Sequence, residues 1–292
     1  MALMLLLPVL LPGCSPSTLA EEWQLDRLRL LAIRADPAEP QPGETVTFTS
    51  LSYVPGDVDW TAVWLACVAG SATGCAFDPS VLDDLGDLST MSPEEQAAAF
   101  AALQAAGFIG FEPMLSPTWA VPSDALDGLT ADETLEGLSG TVQVSLTTAD
   151  DTELVLKDVP VSLAPTPNHN PDIGAFAVDD ATLVPGAALT VSAGQSYDLK
   201  ATLADGALET YTYRTQDGVD EERTEEVSWR WYTDDGRLES TDFGFSSTDD
   251  TPSEDVITWT PDAAGDAVVH AVVLDGRGGM GWWSVAATVT GG

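Results

Sequence analysis

The sequence predicts a mainly β protein made of two antiparallel β-sandwich domains, the first carrying a helical insertion. Three observations predict it. Short segments alternate polar and apolar residues with the period of two that a half-buried strand requires, as in Thr45-Val46-Thr47-Phe48-Thr49. Turn signals such as Pro55-Gly56-Asp57 and Asp275-Gly276 recur about every ten residues, the spacing of short antiparallel strands. A break at Pro165-Thr166-Pro167-Asn168-His169-Asn170-Pro171 then divides the 292 residues into two parts, each long enough to bury a core.

The elements follow in order. Leu28 to Ile33 reads as a first strand, followed by a corner at Pro37, Pro40 and Pro42. The run Trp60 to Cys67 reads as a central strand that carries tryptophans into the core. The period then changes. Ser92-Pro93-Glu94-Glu95 is a capping box with proline at the first helical position, and the alanine-rich stretch behind it closes at Gly107. Thr130-Ala131-Asp132-Glu133 opens a second, short helix that stops at Gly137. The segment between them, with Pro113, Pro117, Pro122 and Trp119, is expected to be an irregular crossing. The insertion therefore spans about residues 78–137 of a domain running from 26 to 165. Thr141 to Leu146 and Leu154 to Leu163 complete that domain. Residues 166–171 form an expected stiff, extended linker, and 172–292 a second sandwich. There Tyr197, Leu199, Ala201 and Leu203 share one strand face, and Val227, Trp229 and Trp231 another.

The amino terminus is an apolar run of about eleven residues, too short for the roughly 20 that span a bilayer and suited to the core of a signal peptide. Leu11-Pro12-Gly13-Cys14 resembles the lipobox of bacterial lipoproteins. The resemblance implies that residues 1–13 are removed, that Cys14 carries the lipid, and that 14–25 form a tether from a membrane the protein does not cross. Of the three cysteines, Cys67 and Cys75 then remain as a pair separated by seven small or flexible residues. Two cysteines without a nearby histidine cannot supply four zinc ligands. A disulfide is expected instead, which requires an oxidising compartment.

Trp259-Thr260-Pro261-Asp262 through Gly265, followed by Asp275-Gly276-Arg277-Gly278-Gly279, is similar to the closing strands of immunoglobulin-like and PKD-type domains. The two-part arrangement resembles two-domain envelope lipoproteins of Gram-negative bacteria. The likeness rests on Leu28 to Ala35, Pro42 to Thr47, the paired cysteines and the Asn168-His169-Asn170-Pro171 junction. It implies an immunoglobulin-like fold and an envelope location, anchored to the outer membrane on an undetermined face. It carries over no catalytic residue.

Charge excludes some partners. With 47 acidic against 10 basic residues the formal net charge is −37, a field that repels nucleic acid and anionic lipid and attracts cations or basic partners. Catalytic motifs are sparse. His169 lies in the linker and His270 in a strand, and neither has the convergent partners of a triad within its own sequence neighbourhood. Acidic pairs such as Asp83-Asp84 and Glu221-Glu222 read as solvated turns rather than the buried acid of a glycosidase. Asp275, Asp234 and Asp235 are calcium candidates, because calcium takes carboxylate and carbonyl oxygens; the alternative is that Asp275 and Gly276 simply make a hairpin. One of Trp282 and Trp283 faces outward if their strand is half-exposed. With Tyr211, Tyr213 and Tyr232 it would form a glycan- or peptide-binding patch; edge packing is the alternative. The expected function is a non-enzymatic, lipid-anchored display or interaction scaffold for envelope proteins or glycans, without a resident cofactor. A calcium-dependent adhesion or glycan-binding module is the second reading, and a carboxylate-based hydrolase the third.

Overall fold

The computed structural model describes residues 21–56, 58–68, 91–215, 217–239 and 253–292. Cys14, Cys75 and residues 78–90 of the expected insertion lie outside them.

The first sandwich faces two sheets against each other. One runs β1 (Arg29–Asp36), β2 (Thr45–Tyr53), β5 (Thr118–Ala120); the other runs β4 (Phe108–Glu112), β3 (Trp60–Val68), β6 (Leu138–Thr148), β7 (Thr152–Val161). All pairings are antiparallel. Its core is Phe48, Trp64, Val142, Val144 and Val159, each 2% exposed or less, with Phe48 and Trp64 stacked at 5.8 Å. Trp64 is fully buried, and its indole N–H donates to Glu112 Oε2 at 2.9 Å, so no polar atom is lost inside.

Helix α1 (Pro93–Ala105) starts at the Ser92–Glu95 capping box and lays Leu103 on Leu65 and Phe108, covering part of the outer sheet face. A second capping box, Thr130 with Glu133, opens α2 (Ala131–Glu136). Between the helices the chain is irregular, as expected, except for two short strands. Phe108–Glu112 pairs with β3, and Thr118–Ala120 pairs with β2 and drives Trp119 into the core. The expected helical insertion thus returns two strands to the sandwich. They were missed because runs of three and five residues beside three prolines carry too little alternation.

The second sandwich has five strands on one side and four on the other. The first sheet runs β15 (Arg237–Glu239), β16 (Glu254–Thr260), β11 (Tyr197–Leu203), β8 (Ile173–Val178), β9 (Ala181–Thr182). The second runs β10 (Leu189–Ser192), β18 (Met280–Thr290), β17 (Gly265–Leu274), β14 (Ser228–Thr233). In both units the strand order is that of an immunoglobulin-like sandwich, with a tryptophan-bearing strand in the sheet opposite the first strand: Trp64 in β3, and Trp229 and Trp231 in β14. The core of the second unit gathers Phe176, Leu199, Trp259, Val269 and Ala271, all 3% exposed or less. A separate hairpin, β12 (Thr210–Arg214) and β13 (Asp220–Thr224), pairs with neither sheet.

A third apolar cluster joins the units. Leu31, Ala32 and Leu51 of the first pack on Tyr232 and Val272 of the second, with Tyr53, Leu274, Met280 and Trp282 around them. Strand β1 is buried on both faces, sending Leu30, Ile33 and Ala35 into its own sandwich and Leu31 and Ala32 into the interface. The expected tether also ends earlier than residue 25. Leu25 is 2% exposed, its amide donates to Thr233 O (2.8 Å), and the Thr233 amide donates to Trp23 O (3.1 Å). Trp23 to Leu25 therefore cover the open edge of β14, with a parallel bridge between Gln24 and Thr233. Alternate apolar residues in an otherwise polar stretch are what seat it there.

Candidate functional site: the junction of the two units

The linker and its surroundings gather the densest set of buried charge. Arg277, in the turn between β17 and β18, is the centre. Its guanidinium reaches Glu39 Oε2 and Glu225 Oε1 at 3.0 Å each, Glu209 Oε2 at 3.6 Å and the Thr166 carbonyl at 3.1 Å. It lies 4.3 Å from the Tyr211 ring centroid. One fork-shaped cation thus ties together the β1–β2 loop, the linker and the base of the β12–β13 hairpin, a geometry a point charge cannot supply.

Each carboxylate around it has further donors. Glu39 also accepts from Ser162 Oγ and from the Asn168 amide (2.7 Å). Glu225, whose side chain is wholly buried, accepts from the Glu209 amide (3.0 Å). Burial pushes its carboxyl up, and Asp275 adds to that, while the Glu209 amide and Arg277 oppose it. Glu209 pairs with His169 through the ring Nδ1 and accepts from the His169 amide at 3.1 Å. Lys157, from β7, donates to the Gly278 carbonyl across the junction; burial pulls its ammonium down and Asp275 and Asp158 push it up. Asn170 donates to the Ala35 carbonyl and accepts from the Met280 amide (3.0 Å). Both units hold the linker, His169 included, through these bonds. Gly279 and Gly281 let the linker approach, since a Cβ on either would overlap a backbone oxygen of His169 or Pro171.

The calcium candidates are not brought together. Asp275 is 1% exposed and accepts from the Arg277 and Gly279 amides (2.8 Å each) and from Asn168 Nδ2 (3.0 Å). It closes its own turn and pins the linker. Asp234 accepts from the Val268 amide (2.8 Å), and Asp235 from the Asp262 amide (3.1 Å), locking the turn after β14. Because Ser228 pairs with Leu274 and Thr233 with Val269, Asp275 and the Asp234-Asp235 pair sit at opposite ends of the sheet. Five residues of strand, about 17 Å, separate them. Among the described residues no group of three or more His, Cys, Asp or Glu side chains is placed to hold a metal ion.

The aromatic patch is not assembled either. Trp283 packs on the second core and stacks on Phe176 at 6.3 Å, while Trp282 and Tyr232 belong to the interface between the units. Tyr211 lies under Arg277, and Tyr213 under Arg223 at 3.7 Å. Trp282 and Trp283 point to opposite faces of β18 and each is partly buried, one against the interface and one against the core, so neither is displayed. His270 is 6% exposed, shares a hydrogen bond with Ser284 Oγ (2.8 Å), and is pushed down to about 4 by burial. Cys67 lies near the end of β3. Among the described residues no helix is long and apolar enough to cross a membrane.

Sequence points to neither Glu39 nor Glu209, and to Glu225 only within the pair Glu225-Glu226, one of the acidic pairs expected to be solvated turns; its side chain is instead wholly buried. A faint signal exists: an arginine set among glycines in a chain this acidic is a natural centre for carboxylates. Nothing local names which ones.

The chain matches no protein-family model and no curated protein. Among solved structures it is similar to the D00-D0 domain of Intimin, at 13% identity over 90% of this chain and 96% of that one (TM-score 0.23). It is also similar to domains 4 and 5 of the S-layer protein SbsC, at 19% identity over 52% and 66% (TM-score 0.20). A third is a Salmonella alpha-2-macroglobulin, at 14% identity over 89% and 16% (TM-score 0.24). At TM-scores this low the likenesses carry no argument, and the fold rests on the strand pairing.

Proposed function

We propose that the chain is a non-enzymatic envelope protein of a Gram-negative bacterium, anchored by lipid on Cys14, whose two docked sandwiches act as one display or interaction scaffold. The observation that supports this reading is the use the junction makes of its charge. Glu39, Glu209, Glu225 and Asp275 are each held by donors from another part of the chain, so the cluster fixes the position of one unit on the other. The buried acids share one guanidinium rather than facing a cleft as an acid and a base. The partners under this reading are the membrane, through the lipid, and other envelope components. Cys75 is the proposed disulfide partner of Cys67.

Two experiments test it. Cells expressing the full chain should incorporate radioactive palmitate, and Cys14→Ser should abolish labelling and release the protein from membranes; labelling that survives the substitution overturns the anchor. Capture from envelope extract with the full chain as bait should return a reproducible partner, and repeated recovery of none counts against the scaffold.

A further inference from the structure

Hairpin β12–β13 is fastened to the rest of the molecule in two unlike ways. Its base is set into the junction. The wholly buried Glu225 carboxylate holds Arg277 and accepts from the Glu209 amide, while the Glu225 amide donates to the Glu209 carbonyl, each of these bonds being 3.0 Å. Tyr211, the second residue of β12, lies against the same guanidinium at 4.3 Å.

Beyond Tyr211 the attachment changes character. The hairpin pairs with neither sheet, none of its residues belongs to an apolar cluster, and every residue of β13 is exposed. Tyr213 stacks on Arg223 of the same hairpin at 3.7 Å, and Arg223 pairs with Glu221 beside it. Among the described residues, the ion pair that carries the far half to the first unit is Arg214 Nη2 with Asp132 Oδ2 of α2, at 3.4 Å. Asp220, on the opposite strand, competes for Arg214 at 3.8 Å.

These two attachments differ greatly in strength. A two-stranded ribbon is marginal in water without an apolar face to pack. Exposed ion pairs add little, and salt weakens them further. Segments with few buried apolar contacts open locally, well below the free energy of global unfolding. The buried base has no such weakness, because breaking it would strand Glu225 without its cation.

We propose that β12–β13 is a strap, hinged at its buried base and latched on the first unit by Arg214 and Asp132, which lifts as ionic strength rises while the two sandwiches stay docked. The latch joins residues of different units, so it closes only across a formed junction. Lifting the far half leaves Glu209, Glu225 and Tyr211 on Arg277. The device does not depend on the scaffold reading; it makes the surface beside the junction responsive to salt.

Amide exchange on the full chain tests it. The reference amides are Asn168 and Gly279, which donate to Glu39 and Asp275 within the junction. At low salt, Arg214→Gln should speed exchange in the β12–β13 ladder about two- to fivefold relative to those references, the range an exposed ion pair supports. Asp132→Asn should do the same, and the double variant should exchange no faster than either single one. In the wild type, raising salt from about 20 mM to about 500 mM should bring the ladder to the rate of the Arg214→Gln variant, whose own rate should scarcely move. Ladder exchange unchanged by Arg214→Gln, or an Arg214→Gln effect that persists in full beside Asp132→Asn, would overturn the latch. Ladder and reference amides accelerating together would overturn the hinge, since the units would then be parting. The salt comparison on the wild type needs no variant to fold, and equal ladder rates at both salts would overturn the strap by themselves.

Discussion

Arg277 is the residue on which the junction depends most. Replacing it with alanine leaves Glu39, 8% exposed, and Glu225, with a side chain 0% exposed, facing each other without a cation. Removing one partner of a buried ion pair costs about 3–5 kcal/mol, so Arg277→Ala should lower the urea midpoint by a matching amount. Arg277→Lys should recover only part of it, because an ammonium cannot span Glu39, Glu225 and the Thr166 carbonyl together. His270 makes a second prediction. Its folded value, about 4, lies below its ordinary 6.5, so the unfolded chain takes up the proton first as pH falls. The stabilisation from keeping it neutral is complete above pH 6.5 and drains away between there and pH 4, about 3 kcal/mol in all. Glu153, Glu225, Asp234 and Asp255 are all raised by burial and act in the opposite sense, favouring the fold as they protonate. They are common to wild type and His270→Gln, so the difference between the two in stability against pH isolates the histidine. A difference that stays flat from pH 7 to 4 would contradict its burial.

At the scale of elements, the interface is carried by strands buried on both faces. Leu25→Ala removes a side chain 2% exposed from the inter-unit cluster and should cost about 2–5 kcal/mol. It should also speed amide exchange at Thr233, whose N–H bonds the Trp23 carbonyl, while leaving Val144 in the first core protected. Much of this was legible. Alternation found β2 and β11, and the two capping boxes found both helices. The double burial of β1 was also written in the chain, as Leu28-Arg29-Leu30-Leu31-Ala32-Ile33 runs apolar where a half-exposed strand alternates. The same holds for much of Ala267 to Leu274 in β17, where only His270 interrupts the apolar run, and for the Trp282-Trp283 pair in β18. Those runs read as strands, but the surface that covers their second face lies elsewhere in the sequence. For that reason Trp282 was open to an outward reading. Hairpin β12–β13 escaped for the opposite cause: its polar, fully exposed β13 has no apolar face to read.

Across the whole molecule two fields compete. The net charge of −37 makes the surface repel itself, while three contiguous apolar clusters and the Arg277 junction hold the halves together. Raising salt shortens the screening length, about 10 Å at 0.1 M, and should raise the melting temperature of the full chain; a fall would mean that salt-sensitive pairs such as Lys200–Glu254 outweigh the repulsion. The central claim is that the two sandwiches form one cooperative body. Calorimetric unfolding of the full chain tests it most directly. A single transition with equal calorimetric and van't Hoff enthalpies is expected, shifted downward as one peak by Arg277→Ala. Two separable transitions in the wild type, only one of them moved by Arg277→Ala, would show two independent units and contradict the account.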